Sequence, residues 1–213
     1  MTAEDRAAAS EEVAFEQIYA NAGDDLASIP WASLAPSPAL QEWLAAQPAP
    51  EDGARALVIA CGLGDDAEEV ARRGYRVTAF DISPTAIEQC RGRFPASTVE
   101  YLVADLFDLP GTWTASFDVV VEIRTLQSLP PELRPRAARA IAKTIAPGGR
   151  LFVRTAARKP DEPLTSRPWP LTRAELDTFI EAGLIECEAR EEPSRNQRLP
   201  TFTAVYQQPR PTT

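Results

Sequence analysis

From Ala60 to Ala67 the chain reads ACGLGDDA, two glycines one residue apart followed by two aspartates. Glycines so spaced let a backbone approach a ligand where a Cβ would clash, and a turn between a strand and a helix is where α/β sheets hold nucleotides. Gly62-Leu63-Gly64-Asp65-Asp66-Ala67 satisfies the dinucleotide pattern G-x-G-x-x-G/A, and Asp81 follows at about the distance expected of a ribose contact. A pyrophosphate would sit on a helix start that carries Asp65, Asp66, Glu68 and Glu69, so four carboxylates would oppose the anion that the helix dipole attracts. S-adenosylmethionine has a sulfonium cation and no phosphate, and those carboxylates do not repel it. The two candidates are therefore NAD(P) and S-adenosylmethionine, and charge favours the second.

Other reactive residues are few. The chain has no histidine, which excludes a His-based triad, an imidazole base and a His metal site. Cys61, Cys90 and Cys187 are too scattered for a disulfide framework or a cysteine-rich zinc site, so no metal is expected. Cys61 itself reads as a small packing residue. Glu122 ends the apolar run FDVVVEI, so it must pair, with Arg124 or Arg134, or face a ligand cleft. If an acceptor hydroxyl must lose a proton, Glu122 is the candidate base, and Arg124 or Arg134 could stabilise an anionic acceptor. Trp31 and Trp169 stand in proline-rich loops, either as aromatic lids over a sulfonium or planar substrate or as loop anchors.

These residues need a scaffold. RALVIA is a short continuous apolar run, as in a strand buried on both faces of a parallel sheet. The spacing predicts a helix over 65–73, a strand in YRVTAFD, a helix opened by Ser83-Pro84, strands in VEYLVAD and FDVVVEI, a helix over 131–146 and a strand in GGRLFVRT. Upstream, Ser10 is placed to cap a helix that Gly23 closes, and Ser37-Pro38 to open a second one. Downstream, Thr172 and Glu175 form a capping box for a helix through about Ala182, and LIECEAREE and TFTAVYQQ suit an antiparallel pair. This alternation predicts a Rossmann-like, doubly wound α/β fold: a mostly parallel seven-stranded sheet with N-terminal helices and a C-terminal antiparallel strand pair. In such sheets ligands sit at the carboxyl ends of the strands, here the loop after RALVIA.

In order and spacing, these segments resemble the class I S-adenosylmethionine-dependent methyltransferases, from about Trp31 to Tyr206. In that family the first loop reads roughly acidic-x-G-x-G-x-G; Gly62 and Gly64 match, while Ala60 stands for the acid and Asp66 for the last glycine. The resemblance implies that Asp81, in AFDIS, binds the ribose hydroxyls with Ile82 beside it. It also implies that Asp105 and Leu106, in VADLFDLP, take the adenine edge, and that the end of FDVVVEI, at Glu122, faces the transferring methyl. Ala60, Leu63 and Trp31 join the implied cofactor contacts, with S-adenosylhomocysteine as product. A narrower resemblance is to the thiopurine, thiol and tellurite methyltransferases, through LPPELR, RPWPLTRAEL and IPWASLAPSPALQEWL. It implies a small acceptor met by Arg124, Arg134 and Trp169, with Glu122 and Arg134 in the catalytic roles. An NAD(P)-dependent oxidoreductase and a non-catalytic S-adenosylmethionine-binding protein are the competing readings.

Composition narrows the partners. The 213 residues are 44% hydrophobic, enough for one sizeable core, so a single domain over 1–213 is expected. Within it, residues 1–50 read as an N-terminal cap, 51–155 as the cofactor-binding core and 156–213 as the substrate side. A net charge of −9 argues against nucleic acid and against anionic lipid. With no long apolar run and no signal-peptide pattern, a cytoplasmic protein acting on a small molecule is expected. Oligomeric state leaves no mark in the sequence; a monomer is the default.

Overall fold

The computed structural model describes residues 3–164, 167–193 and 199–211, with side chains from residue 13 onward in the first helix. Thr165 and Ser166 of the proline-rich loop and the last two tail residues lie outside the described residues. After Asp108 the chain divides into two compact units, Met1–Asp108 and Leu109–Thr213.

In the first unit, strands β1 (Arg55–Ile59), β2 (Arg76–Asp81) and β3 (Glu100–Val103) run parallel in the order β3-β2-β1. Four consecutive residues of β1, Ala56 to Ile59, are buried, as a strand covered on both faces requires. Ile59 pairs with Phe80 and Asp81 with Val103, so the carboxyl ends of the three strands share one edge.

The helices of this unit are α1 (Ala3–Ala22), α2 (Pro38–Ala46), α3 (Asp65–Arg72) and α4 (Pro84–Arg93). The α4 start is as predicted: Pro84 is the first helical residue and the Ser83 hydroxyl accepts from the Ala86 amide at 3.0 Å. Pro38 likewise opens α2 behind Ser37, while the start of α1 differs. Ser10 lies inside α1, because the alanine-rich stretch before it is also helical. Ser37 makes no side-chain cap bond; its amide donates to the Asp66 carboxylate at 2.7 Å, tying the α2 start to α3.

In the second unit, β4 (Phe117–Ile123), β5 (Ile145–Ala156), β6 (Ile185–Glu192) and β7 (Thr201–Gln207) lie in the order β4-β5-β7-β6. The β4–β5 pair is parallel, and β7 runs antiparallel to both β5 and β6. The seven strands make the mixed, Rossmann-like sheet that the sequence predicts, with its C-terminal antiparallel pair. Two 3-10 turns, Leu126–Ser128 and Pro131–Leu133, lead into α5 (Arg134–Thr144). The Thr172–Glu175 capping box forms in both directions, at 2.7 and 3.3 Å. The helix it should open is broken into a 3-10 turn, Ala174–Asp177, and a short α6 (Thr178–Glu181). Thr178, Phe179 and Ile180 are weak helix formers, and a segment this short has little cooperativity to hold it.

Candidate cofactor and acceptor sites

The turn after β1 is unusual in its backbone. Ala60, Gly62 and Gly64 all have positive φ, 47°, 55° and 88°. Ala60 is the informative one. The family resemblance implies an acid at this position, whereas its exposed, left-handed backbone is a conformation that suits glycine and costs any other residue strain. Gly64 is dictated by packing, since a Cβ there would stand 2.6 Å from the Tyr101 hydroxyl and 3.1 Å from Cys90 Sγ. Gly62 faces a different neighbour, with a Cβ at 3.1 Å from the Tyr19 hydroxyl.

Asp81 holds this turn from the end of β2. One carboxylate oxygen accepts from the Gly62 amide at 2.9 Å and the other from the Ser83 amide at 3.0 Å. Burial raises its pKa, and these amides pull it partly back. A carboxylate offers about four lone-pair sites, so two amide bonds leave room for the vicinal hydroxyls of a ribose. The Ala104 amide donates to the Asp81 carbonyl at 3.1 Å, which brings the loop after β3 to the same edge. There Asp105 is exposed, with Oδ1 accepting from the Phe107 amide at 2.8 Å, while Leu106 is buried and Ile82 half-buried. Gly62, Asp81, Ile82, Asp105 and Leu106 are thus brought together. The donor and acceptor set fits an adenosine.

Leu63 and Trp31 sit differently. Leu63 is buried among Tyr19, Ile29 and Ala86, with Trp31 packed against the same cluster. The Trp31 indole donates to the Tyr19 hydroxyl at 2.9 Å, and its ring meets those of Phe15 and Tyr19 edge-on at 5.7 Å. Cys90 Sγ donates to the Gly62 carbonyl at 3.1 Å, and hydrogen bonding to Cys90 together with burial pushes the Cys61 thiol well up, in keeping with a packing role.

The four carboxylates of α3 form a weaker repulsive field than the sequence suggests, because two of them are ion-paired. Asp65 is chelated by Arg93 at 2.8 Å, and Arg93 also reaches the Leu63 carbonyl. Asp66 takes the Ser37 amide, Glu68 the hydroxyls of Tyr101 and Ser97, and buried Glu69 both Arg72 and Arg73. Each carboxylate is spent on mooring α3. These charges therefore oppose a pyrophosphate less than the sequence suggests, and Asp81 with its strand edge is the feature that fits an adenosine.

In the second unit Glu122 is fully buried near the end of β4. Its Oε1 accepts from the amides of Thr125 and Leu126 at 2.6 and 3.0 Å, while Oε2 has no hydrogen-bond partner among the described residues. Of the two possibilities the sequence leaves open for Glu122, the salt bridge to Arg124 or Arg134 is not formed among the described residues. Burial outweighs the two amides and raises the carboxyl pKa to about 7. Arg124 is exposed with φ 68°, a strained backbone for a non-glycine residue. Arg134 is buried and engaged on every side: Nη1 pairs with Glu175 at 2.6 Å, Nη2 donates to the Trp169 carbonyl at 2.6 Å, and Nε to the Leu126 carbonyl at 3.3 Å. Arg158 holds the same loop, through Glu175 at 2.9 Å and the Pro170 carbonyl at 3.0 Å. Trp169 is half-buried, its amide donating to the Gln127 carbonyl at 2.7 Å and its ring 5.4 Å from the Arg167 guanidinium.

Sequence reasoning missed Glu16, Tyr19 as a neighbour of the glycine turn, Arg93 and the Glu175 junction. Glu16 was visible as a polar residue three positions before Tyr19, on the same helix face. Among the described residues no cluster of His, Cys, Asp or Glu is arranged to hold a metal, and no helix is long and apolar enough to cross a membrane.

Residues 56–149 match a family model described as a methyltransferase domain. The ubiquinone biosynthesis O-methyltransferase of Xanthomonas oryzae is 39% identical over 111 residues, 51% of this chain and 45% of that protein. The chain thus spans about half the length of the curated relatives it matches. Among solved structures, the 1,6-didemethyltoxoflavin-N1-methyltransferase of Burkholderia thailandensis, with its substrate and S-adenosylhomocysteine bound, superposes with a TM-score of 0.77 at 19% identity. That match covers 98% of this chain and 92% of the other. The [4+2]-cyclase SpnF superposes with a TM-score of 0.70 at 18% identity over 81% of each chain. The fold is therefore shared across different reactions.

Proposed function

We propose that this chain, whose residues 56–149 match a methyltransferase-domain model, is a class I S-adenosylmethionine-dependent methyltransferase acting on a small-molecule acceptor in the cytoplasm. The observation that carries this reading is Asp81, buried at a shared strand edge with its carboxylate bonded to the Gly62 amide and with acceptor capacity left for a ribose. Asp81 and Gly62 would hold the ribose side, with Ile82 beside them, and Asp105 and Leu106 would take the adenine edge. When bound, S-adenosylmethionine supplies a sulfonium-activated methyl for in-line displacement.

Glu122 is the group we assign to take a proton from the acceptor. Its pKa of about 7 suits a base at neutral pH, and Oε2 is the oxygen left for that proton. This favours a hydroxyl acceptor. The names of the relatives, an O-methyltransferase and an N1-methyltransferase, are in keeping with oxygen or ring nitrogen, while a thiol or metalloid acceptor rests on the sequence resemblance alone. Arg124 carries the contact to an anionic acceptor. Arg134 serves the acceptor side indirectly, by holding the loop that bears Trp169.

The test is transfer of a deuterated methyl from labelled S-adenosylmethionine to a panel of phenols, N-heteroaromatics, thiols and tellurite, read by mass spectrometry. Labelled product from a phenol, lost in Glu122→Gln, is expected. Cofactor binding with no labelled product across the panel would mean a non-catalytic binder.

A further inference from the structure

The last turns of α1 lie over the glycine turn, and one residue ties them down. Glu16 accepts the Ser83 hydroxyl through Oε2 at 2.5 Å and the Thr85 hydroxyl through Oε1 at 2.5 Å, with the Thr85 amide 3.3 Å from Oε2. Ser83 and Thr85 belong to the start of α4, directly after Asp81 and Ile82, so the tie is made at the strand edge described above. Burial raises the Glu16 pKa, but these donors outweigh it and the carboxyl stays below its ordinary range. One helical turn later, on the same face, Tyr19 stands over Gly62. Tyr19 is buried and fixed by the Trp31 indole. A second tie closes the end of the helix, where the Gln89 side chain donates to the Gly23 carbonyl at 3.3 Å.

A ligand seated on Gly62 and Asp81 would lie beside this roof, and its entry and exit depend on whether α1 can lift. We propose that Glu16 is a positioning residue that latches α1 as a lid over the glycine turn and so sets the rate of cofactor exchange. This rests on the reading of that turn as the S-adenosylmethionine cradle. The latch is local: a single carboxylate accepts three hydrogen bonds, from the hydroxyls of Ser83 and Thr85 and from the Thr85 amide. Tyr19 and Trp31 supply the cover, and Glu16 decides how often the cover is raised.

The test compares the wild-type protein with Glu16→Ala and Thr85→Val, using S-adenosylhomocysteine in stopped-flow tryptophan fluorescence and hydrogen exchange of the free protein. Thr85→Val keeps the shape of its residue and removes one latch bond, so it preserves the fold if Glu16→Ala does not. In Glu16→Ala, association and dissociation should both quicken at least fivefold, with the dissociation constant changing less than either rate. Amides of residues 13–22 should exchange at least tenfold faster, with those of β1 and β2 unchanged. Thr85→Val should shift every readout the same way by less. Unchanged exchange in α1 in both variants would overturn the latch, whatever binds. A dissociation constant that rises wholly through faster release would overturn the gate and make Glu16 a stabiliser of the bound state. Failure of the wild-type protein to bind S-adenosylhomocysteine would instead remove the cradle itself, and the lid with it.

Discussion

Replacing Glu122 by Gln should change how stability depends on pH, and the sign follows from its burial. In the folded chain the carboxyl holds its proton up to about pH 7, whereas unfolded it releases it near the ordinary glutamate value of 4.5. Between those values the folded state carries a proton that the unfolded state lacks, so raising the pH costs stability at about 1.4 kcal/mol per pH unit. From pH 5.5, safely above the isoelectric point near 4.7, to pH 7 this amounts to about 2 kcal/mol. Glutamine keeps the oxygen that accepts from Thr125 and Leu126 and has no proton to lose. Whatever constant offset its amide group introduces cancels when the two proteins are compared at each pH. Urea unfolding of both proteins at half-unit intervals from pH 5.5 to 8 reads the difference directly. The Gln variant should gain on the wild type by about 2 kcal/mol up to pH 7 and then level off. A difference that stays flat across this range would mean that Glu122 is already ionised in the fold, and would remove it as a base poised near neutrality.

Other changes test the separate parts. Asp81→Asn should raise the dissociation constant for S-adenosylhomocysteine at least tenfold, about 1.4 kcal/mol, because the amide cannot serve both backbone donors and the ribose; unchanged affinity by calorimetry would take Asp81 out of the site. Arg134→Lys can satisfy only part of the Glu175, Trp169 and Leu126 junction, so KM for the acceptor should rise severalfold with cofactor affinity kept within twofold. A parallel loss of cofactor affinity would contradict its assignment to the acceptor loop. Gly64→Ala forces a Cβ to 2.6 Å from the Tyr101 hydroxyl at φ 88°. A loss of about 2 kcal/mol, seen as a fall in Tm of roughly 4–8 °C, is expected; an unchanged Tm would show that β3 gives way freely.

Where one local rule governs, the sequence foretells the structure closely. The apolar run at β1, the Ser83-Pro84 helix start and the Thr172–Glu175 box all form as read, because each depends on residues within a few positions of one another. The same holds for Asp81, whose place at a strand end is a matter of counting. Long-range partners are another matter. Nothing in DDAEE reveals that Arg93, Ser37, Tyr101 and Ser97 will neutralise or bind those carboxylates, so the sequence overstates their repulsion. Arg134 looks like a free helix-face cation until Glu175 and the Trp169 carbonyl, 41 and 35 positions away, are folded onto it. The strain at Ala60 is equally invisible, since alanine gives no sign of a left-handed backbone.

The turn around Gly62 and Asp81 is the proposed cradle for S-adenosylmethionine. Isothermal calorimetry of the purified chain with S-adenosylhomocysteine, then with NADH on the same sample, distinguishes it from a dinucleotide site. Micromolar binding of the first and none of the second is the predicted result. Binding of NADH without S-adenosylhomocysteine would contradict it, and would turn the same glycines and the same aspartate into a dinucleotide site.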